Sequence, residues 1–207
     1  GNIMITAHHL VFGRKYGETF IYPVNGTSSA SLYFSTRVSD LIINWGDGST
    51  TNYTTLKNTD FTITSATNIL THNYSTPFIG DIKISSNVVN DIYSLKIQPS
   101  ATDKLNIQNF ETFINQFKIL YSLVLTNELG SDIQRATLKG DLSKIPDSLE
   151  RFEVRYMKGY YNNSTDFYLD VSNFSSQSKL KYFHRPNLND YWTSAFNVYG
   201  DLSKLPL

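Results

Sequence analysis

Ile92-Tyr93-Ser94-Leu95-Lys96-Ile97, Leu120-Tyr121-Ser122-Leu123-Val124-Leu125, Leu149-Glu150-Arg151-Phe152-Glu153-Val154 and Leu180-Lys181-Tyr182-Phe183-His184-Arg185 are versions of one formula, apolar-x-x-apolar-x-apolar. Beginning at 92, 120, 149 and 180, the copies stand 28, 29 and 31 residues apart. Near-constant spacing of this kind predicts a stacked solenoid in which each turn covers the apolar face of its neighbour. Such a stack offers a long surface and no inherent catalytic pocket, so binding is the function it points to first.

A second signature recurs between the strands. Asp141-Leu-Ser-Lys-Ile145, Asp170-Val-Ser-Asn-Phe174 and Asp201-Leu-Ser-Lys-Leu205 share the order acid, aliphatic, Ser, polar, apolar, and Asn106-Ile-Gln-Asn-Phe110 is a looser copy. Asp and Ser accept hydrogen bonds from free backbone N–H groups, which predicts a turn and a short helical piece on the outer side. Only the first copy extends further. Phe110, Phe113, Ile114 and Phe117 form one face of an amphipathic helix, with Asn109 as its cap.

The strand formula resembles that of leucine-rich repeats, over about residues 89–207. It is a divergent version: Asn127 comes one place early, Phe152 and Phe183 stand where Leu is usual, and Arg185 takes an apolar position. The Gly-Asp-Leu-Ser-Lys-Ile/Leu-Pro wording at 140–146 and 200–206 is similar to repeat proteins of gut-bacterial cell surfaces and of phage tails. That likeness implies display outside a bacterial cell or on a phage virion.

Residues 1–88 have another texture, with strand-like runs separated by Thr, Ser, Gly and Asn. Leu41, Ile43 and Trp45 alternate with Ile42 and Asn44, Phe61 and Ile63 flank Thr62, and Ile82 and Ile84 flank Lys83. Trp45-Gly46-Asp47-Gly48-Ser49, then His72-Asn73-Tyr74, then Gly80-Asp-Ile-Lys-Ile84 resemble the PKD-type immunoglobulin-like sandwich over about residues 28–87. Pro77-Phe78-Ile79 departs from the usual Gly-Thr-Tyr of that family. Residues 1–27 lie outside the match and are expected to add strands. On the residues themselves, Gly46 and Gly48 permit a tight reversal, and Asp47 accepts backbone N–H groups across it. Trp45 is a large inward anchor, and Tyr74 reaches backbone with its hydroxyl. The expected architecture is therefore β-rich: a sandwich over 1–88, then about four solenoid turns over 89–207 with helical pieces on the convex side. The sandwich is expected to cap the first turn.

The 207 residues carry 18 Lys+Arg against 18 Asp+Glu, with no basic block. That balance argues against nucleic acid or an anionic membrane as partner, because both need clustered positive charge. No run approaches the ~20 apolar residues of a membrane span. Absence of Cys excludes disulfides and thiolate metal sites. Abundant Ser, Thr, Asn and Tyr with 17% charged residues fit an extracellular β-rich protein. Gly1 is no natural start, which implies a removed leader or tag. The third Asp-Leu-Ser-Lys copy stops at Leu207, where position 209 would open the next strand, so the array is expected to be truncated there.

No nucleophile elbow, phosphate loop, His-Glu-x-x-His or paired-carboxylate motif is present, so the expectation is a non-enzymatic module without metal or cofactor. His8-His9 send their side chains to opposite faces of a strand and lack ligand spacing. Asp47 alone is far short of the oxygens a calcium ion takes. His72 beside Tyr74 reads as a structural group. The candidate binding surface is the concave strand face, in three rows: Ser94, Ser122, Arg151, Tyr182; Lys96, Val124, Glu153, His184; Gln98, Thr126, Arg155, Pro186. Arg151, Glu153, Arg155, Tyr182 and His184 form its charged and aromatic end, and Arg and Tyr are the residue types that carry interface energy. Tyr156, Tyr160, Tyr161, Tyr168 and the Tyr191-Trp192 loop either stack on sugar rings or fill gaps between irregular repeats. The expected partner is a protein or glycan on a cell surface. The alternative role is an architectural spacer in a larger surface or phage-tail protein.

Overall fold

The computed structural model describes residues 19–36, 41–53, 69–86, 92–98, 104–126, 136–154, 166–184 and 197–206. Two long strands, β1 (Thr19–Thr36) and β4 (Ile69–Ser86), pair antiparallel, and β2 (Leu41–Asn44) and β3 (Thr50–Tyr53) extend that ribbon on the β4 side. On the other side the C-terminal end of β1 pairs antiparallel with β5 (Ile92–Ile97). From there the pairing turns parallel through β7 (Ser122–Leu125), β10 (Arg151–Val154) and β12 (Tyr182–His184). The result is one mixed eight-stranded sheet in the order β12-β10-β7-β5-β1-β4-β2-β3.

The four formula segments thus lie side by side. Ser94, Ser122, Arg151 and Tyr182 share one register line, Leu95, Leu123, Phe152 and Phe183 the next, and Lys96, Val124, Glu153 and His184 the third. Apolar residues three apart fall on opposite faces of a regular strand. The later copies solve this with a local irregularity. Glu150 and Arg151 both donate N–H to Tyr121 O (2.9 and 3.0 Å), and Lys181 and Tyr182 both donate to Glu150 O (2.9 and 3.0 Å). Two residues against one carbonyl is the signature of a bulge, and it lets Leu149 and Phe152 enter the same core.

A second set of short parallel pairs runs alongside. It comprises β6 (Asn106–Ile107) with β8 (Thr137–Leu138), and β11 (Phe167–Asp170) between β9 (Gly140–Asp141) and β13 (Asn197–Tyr199). Both sets and the ribbon contribute to one hydrophobic core that includes Leu95, Leu123, Phe152, Ile107, Leu138 and Leu169. Helix α1 (Phe110–Ile114) buries Phe110, Phe113 and Ile114, and Asn109 Oδ1 caps it by accepting from Thr112 N at 3.1 Å. The Asp-x-Ser segments form turns in which Asp141, Asp170 and Asp201 each accept from the backbone N–H two residues on (3.0, 3.0 and 2.9 Å). The latter two open 3-10 turns at Val171–Asn173 and Leu202–Lys204. Gly200 (φ +86°) sits where a Cβ would press on Val171 and Asp170 of the preceding coil, which accounts for the Gly before that Asp.

The ribbon meets the stack along both sets of strands. Tyr33, Phe34, Ser35 and Thr36 pair with β5, while Val24 bridges Leu105 just before β6. Register shifts at Asn25, Thr27 and Ser29 separate the two halves of β1. The Tyr74 hydroxyl donates to Trp45 O at 2.8 Å, and Trp45 follows the Asn44–Lys83 pair. Eight residues of straight strand, from Tyr74 to Ile82, would span ~26 Å. The contact therefore requires β4 to bend, and bends of this kind are how strands turn the corners of packed sheets. All the described strands of residues 19–86 belong to the single large sheet. Phe20 stacks on Phe117 with centroids 5.1 Å apart, and Tyr22 meets Phe113 edge-on at 6.0 Å. Gln116 locks the junction: Oε1 accepts from Ile21 N (2.7 Å) and Nε2 donates to Ile21 O (3.0 Å).

Candidate ligand-binding face

The predicted rows lie on the large sheet, but their exposure differs along it. At the β5 and β7 end, Ser94 (0% exposed), Ser122 (3%) and Val124 (9%) are buried, as is Thr126. The expectation of a solvated face fails at these four positions, while Lys96 and Gln98 of the same rows are half-buried. Among the described residues the buried Ser94 hydroxyl has no hydrogen-bond partner. At the β10 and β12 end the face opens. Tyr182 is 38% exposed, His184 is exposed, and Arg151 and Glu153 are half-buried.

These four side chains form a compact quartet. Arg151 and Tyr182 are register partners, and the Arg151 guanidinium lies 4.4 Å from the Tyr182 ring centroid. A cation–π contact of this kind restrains the guanidinium, and the Arg151 side chain remains about one-third exposed (34%). Glu153, two residues along, brings Oε1 to 3.7 Å from an Arg151 terminal nitrogen, which is longer than a hydrogen bond. His184 is the register partner of Glu153. Arg155 and Pro186 lie outside the described residues, as do His8, His9, Tyr156, Tyr160, Tyr161, Tyr191 and Trp192. Tyr168, on β11, is half-buried with its ring edge on Tyr199 at 5.8 Å.

One further row was not singled out from the sequence, although it occupies the second place of the same formula: Tyr93, Tyr121, Glu150 and Lys181. Tyr93 and Tyr121 stack at 5.0 Å. The Tyr121 hydroxyl hydrogen-bonds the Glu150 carboxylate, whose Oε1 is 2.7 Å from Lys181 Nζ. Lys181 holds the Glu150 carboxyl below its ordinary range, and Glu150 in turn raises Lys181. Burial first, then the Glu150 charge, pushes the Tyr121 phenol up. The row was detectable by aligning every position of the formula rather than the outward ones alone.

The Trp45–Tyr74 constellation is a second cluster of polar groups. Asp47 Oδ1 accepts from Ser49 N at 3.0 Å and from the Ser49 hydroxyl. Oδ2 accepts from His72 Nε2 at 2.7 Å. The His72 ring stacks on Trp45 (4.8 Å, 13°) and meets Tyr74 edge-on at 4.6 Å. Trp45 Nε1 donates to Thr51 Oγ1 at 2.8 Å. Gly46 (φ +90°) lies under the Phe78 ring, where a Cβ has no room. The Ser49 hydroxyl, the His72 bond and the Ser49 backbone N–H together hold the Asp47 carboxyl well below the usual carboxylate range. Ser, His and Asp are all present, yet a hydrolytic triad needs its Asp and Ser on opposite imidazole nitrogens. Here Asp47 and Ser49 both face Nε2, and Ser49 gives its proton to Asp47, so His72 has no lone pair aimed at the hydroxyl. The arrangement fastens a turn.

Among the described residues no three His, Cys, Asp or Glu side chains are grouped to hold a metal ion, and no helix is long and apolar enough to cross a membrane. Compared with known proteins, the chain matches no family profile, no curated protein and no solved structure.

Proposed function

We propose that the chain is a non-enzymatic binding module, a PKD-like domain followed by a divergent leucine-rich-repeat-like solenoid. In this reading it is displayed outside a bacterial cell or on a phage tail, where it recognises a protein or glycan. The parallel stacking of the four formula strands and the bend of the β1–β4 ribbon support the architecture. The observation that carries the function is the quartet of Arg151, Glu153, Tyr182 and His184, a pre-positioned guanidinium and aromatic ring on the accessible end of the sheet. Arg and Tyr held in place before contact lose little entropy on binding.

Closure of the same face over β5 and β7 favours a second reading, an architectural spacer. Glycan-array and cell-surface binding of the folded chain separates the two. The binding reading expects signal that falls when Arg151→Ala and Tyr182→Ala are combined without change in the thermal melt. Absence of binding to any surface supports the spacer.

A further inference from the structure

Resting on that binding reading, we propose that the quartet takes a carboxylate-bearing sugar, a uronic-acid type unit of a surface polysaccharide. Three observations converge. The Arg151 guanidinium lies over the Tyr182 ring, 4.4 Å from its centroid, and among the described residues its nearest carboxylate oxygen is Glu153 Oε1 at 3.7 Å, beyond hydrogen-bond distance. A planar fork held this way matches a carboxylate, which can accept two parallel N–H bonds. The open part of the face is small. Among the described residues, burial of Ser122 and Val124 restricts it to two strands and two residues along each, roughly 10 Å on a side given strand spacings of ~4.8 Å. That footprint suits one or two pyranose rings, whereas a stable protein partner covers about 800 Å² per side. Tyr182 is the quartet's own exposed ring, and among the described residues the other large exposed hydrophobics, Ile42, Ile79, Tyr199 and Leu202, lie on other segments. The ligand carboxylate takes the place of Glu153 at Arg151, and the Tyr182 hydroxyl and His184 ring meet sugar hydroxyls.

Titration calorimetry of the whole chain with an oligoglucuronate, its methyl ester and an oligoglutamate tests the inference. The acid form is expected to bind and the ester to bind roughly ten- to a hundredfold more weakly, the range for loss of a charge-assisted hydrogen bond. Affinity for the acid form is expected to fall as NaCl rises. Arg151→Lys loses most of the affinity, because an ammonium cannot make the paired contact. Glu153→Gln, which removes the internal competitor, leaves binding equal or tighter. Acid and ester binding alike, or acid-form affinity unaffected by Arg151→Lys in a variant with unchanged melting temperature, overturns the carboxylate assignment. Oligoglutamate bound more tightly than oligoglucuronate overturns the sugar assignment in favour of an acidic peptide. Signal on the glycan array with neutral glycans alone sinks this inference and leaves the binding module standing, whereas silence on every surface sinks both.

Discussion

The two ends of the repeat stack are built differently. At the first coil, β1 supplies a strand to β5 and a bridge to Leu105, so both sets of strands are covered by the same ribbon. Phe20 and Tyr22 fill the space against Phe117 and Phe113, and Gln116 satisfies the backbone of Ile21. At the last coil β12 and β13 are the outermost strands of their sheets among the described residues. Tyr182, Tyr199 and Leu202 are exposed there, while Phe183, Val198 and Leu205 are only partly buried. In a stack where each coil is stabilised by its neighbours, a coil with less buried packing holds less firmly. The same openness exposes the Arg151 quartet, so the accessible surface and the weaker packing coincide.

The largest expected contrast is in core truncation. Phe20→Ala removes a fully buried ring stacked on Phe117 and is expected to cost about 3–5 kcal/mol. Phe183→Ala removes a ring that is stacked on Phe152 at 5.5 Å but only partly buried, and is expected to cost about 1–2 kcal/mol. Urea denaturation of the pair checks this, and equal losses would mean that stability is spread evenly along the stack.

The Asp-x-Ser turns allow the same test with hydrogen bonds. Buried Asp141 accepts from Ser143 N, the Ser143 hydroxyl, Asp170 N and Asn173 Nδ2, so it ties its own turn to the next coil. Asp201 is exposed and accepts only within its own turn, from Ser203 N at 2.9 Å and from the Ser203 hydroxyl. Asp141→Ala should cost about 2–3 kcal/mol, because it orphans donors inside the protein. Asp201→Ala should cost clearly less, because it removes only an exposed cap whose donors turn to water. A ratio near one would show that the inter-coil bonds contribute nothing.

Gln116→Ala probes the covered junction alone. It removes two bonds to Ile21 and one to Phe113 O, for an expected loss of about 1–3 kcal/mol. Hydrogen exchange should speed up at the Ile21 amide and remain unchanged along β12. Uniform acceleration would mean that the junction and the open end unfold as one unit.

Local periodicity made much of this legible. The register lines through Ser94 and Lys96, the Asn109 cap, the helical face of Phe110, Phe113 and Phe117, and the Tyr74 hydroxyl on backbone all follow from spacing and from the chemistry of single residues. Covering is a non-local property and escaped the same reasoning. Ser94 and Ser122 stand at outward positions of the formula, as Arg151 does, and nothing in their own copies signals that one end of the face is closed. The clamp between Gln116 and Ile21 joins residues 95 apart in sequence, and Gln carries no motif. The bend of the ribbon arises where register shifts fall on Asn25, Thr27 and Ser29, in a stretch that alternation alone renders as continuous strand.

The smallest expected difference between the ends is in acid. Asp47, in the ribbon, and Asp201, in the last coil, both have carboxyls held below their ordinary values. In Asp47 the leading causes are the Ser49 hydroxyl and the His72 bond, and in Asp201 they are the Ser203 backbone N–H and then its hydroxyl. A carboxyl whose folded pKa lies below its unfolded one, about 3.9 for Asp, contributes stability that is complete above that value. The contribution shrinks as pH falls below that value, because the unfolded carboxyl then takes up a proton that the folded one does not, and it is gone once both are protonated. Asp47→Asn should therefore lower the melting temperature at pH 6, and its gap from the parent protein should narrow between about pH 4 and pH 2. Asp201→Asn should behave in the same sense with a smaller gap, since no imidazole shares its carboxylate. A gap for Asp47→Asn that stays constant through this window would show that the His72–Asp47–Ser49 bonds are no stronger in the folded chain than water's, and the ribbon would lose its electrostatic distinction from the open end.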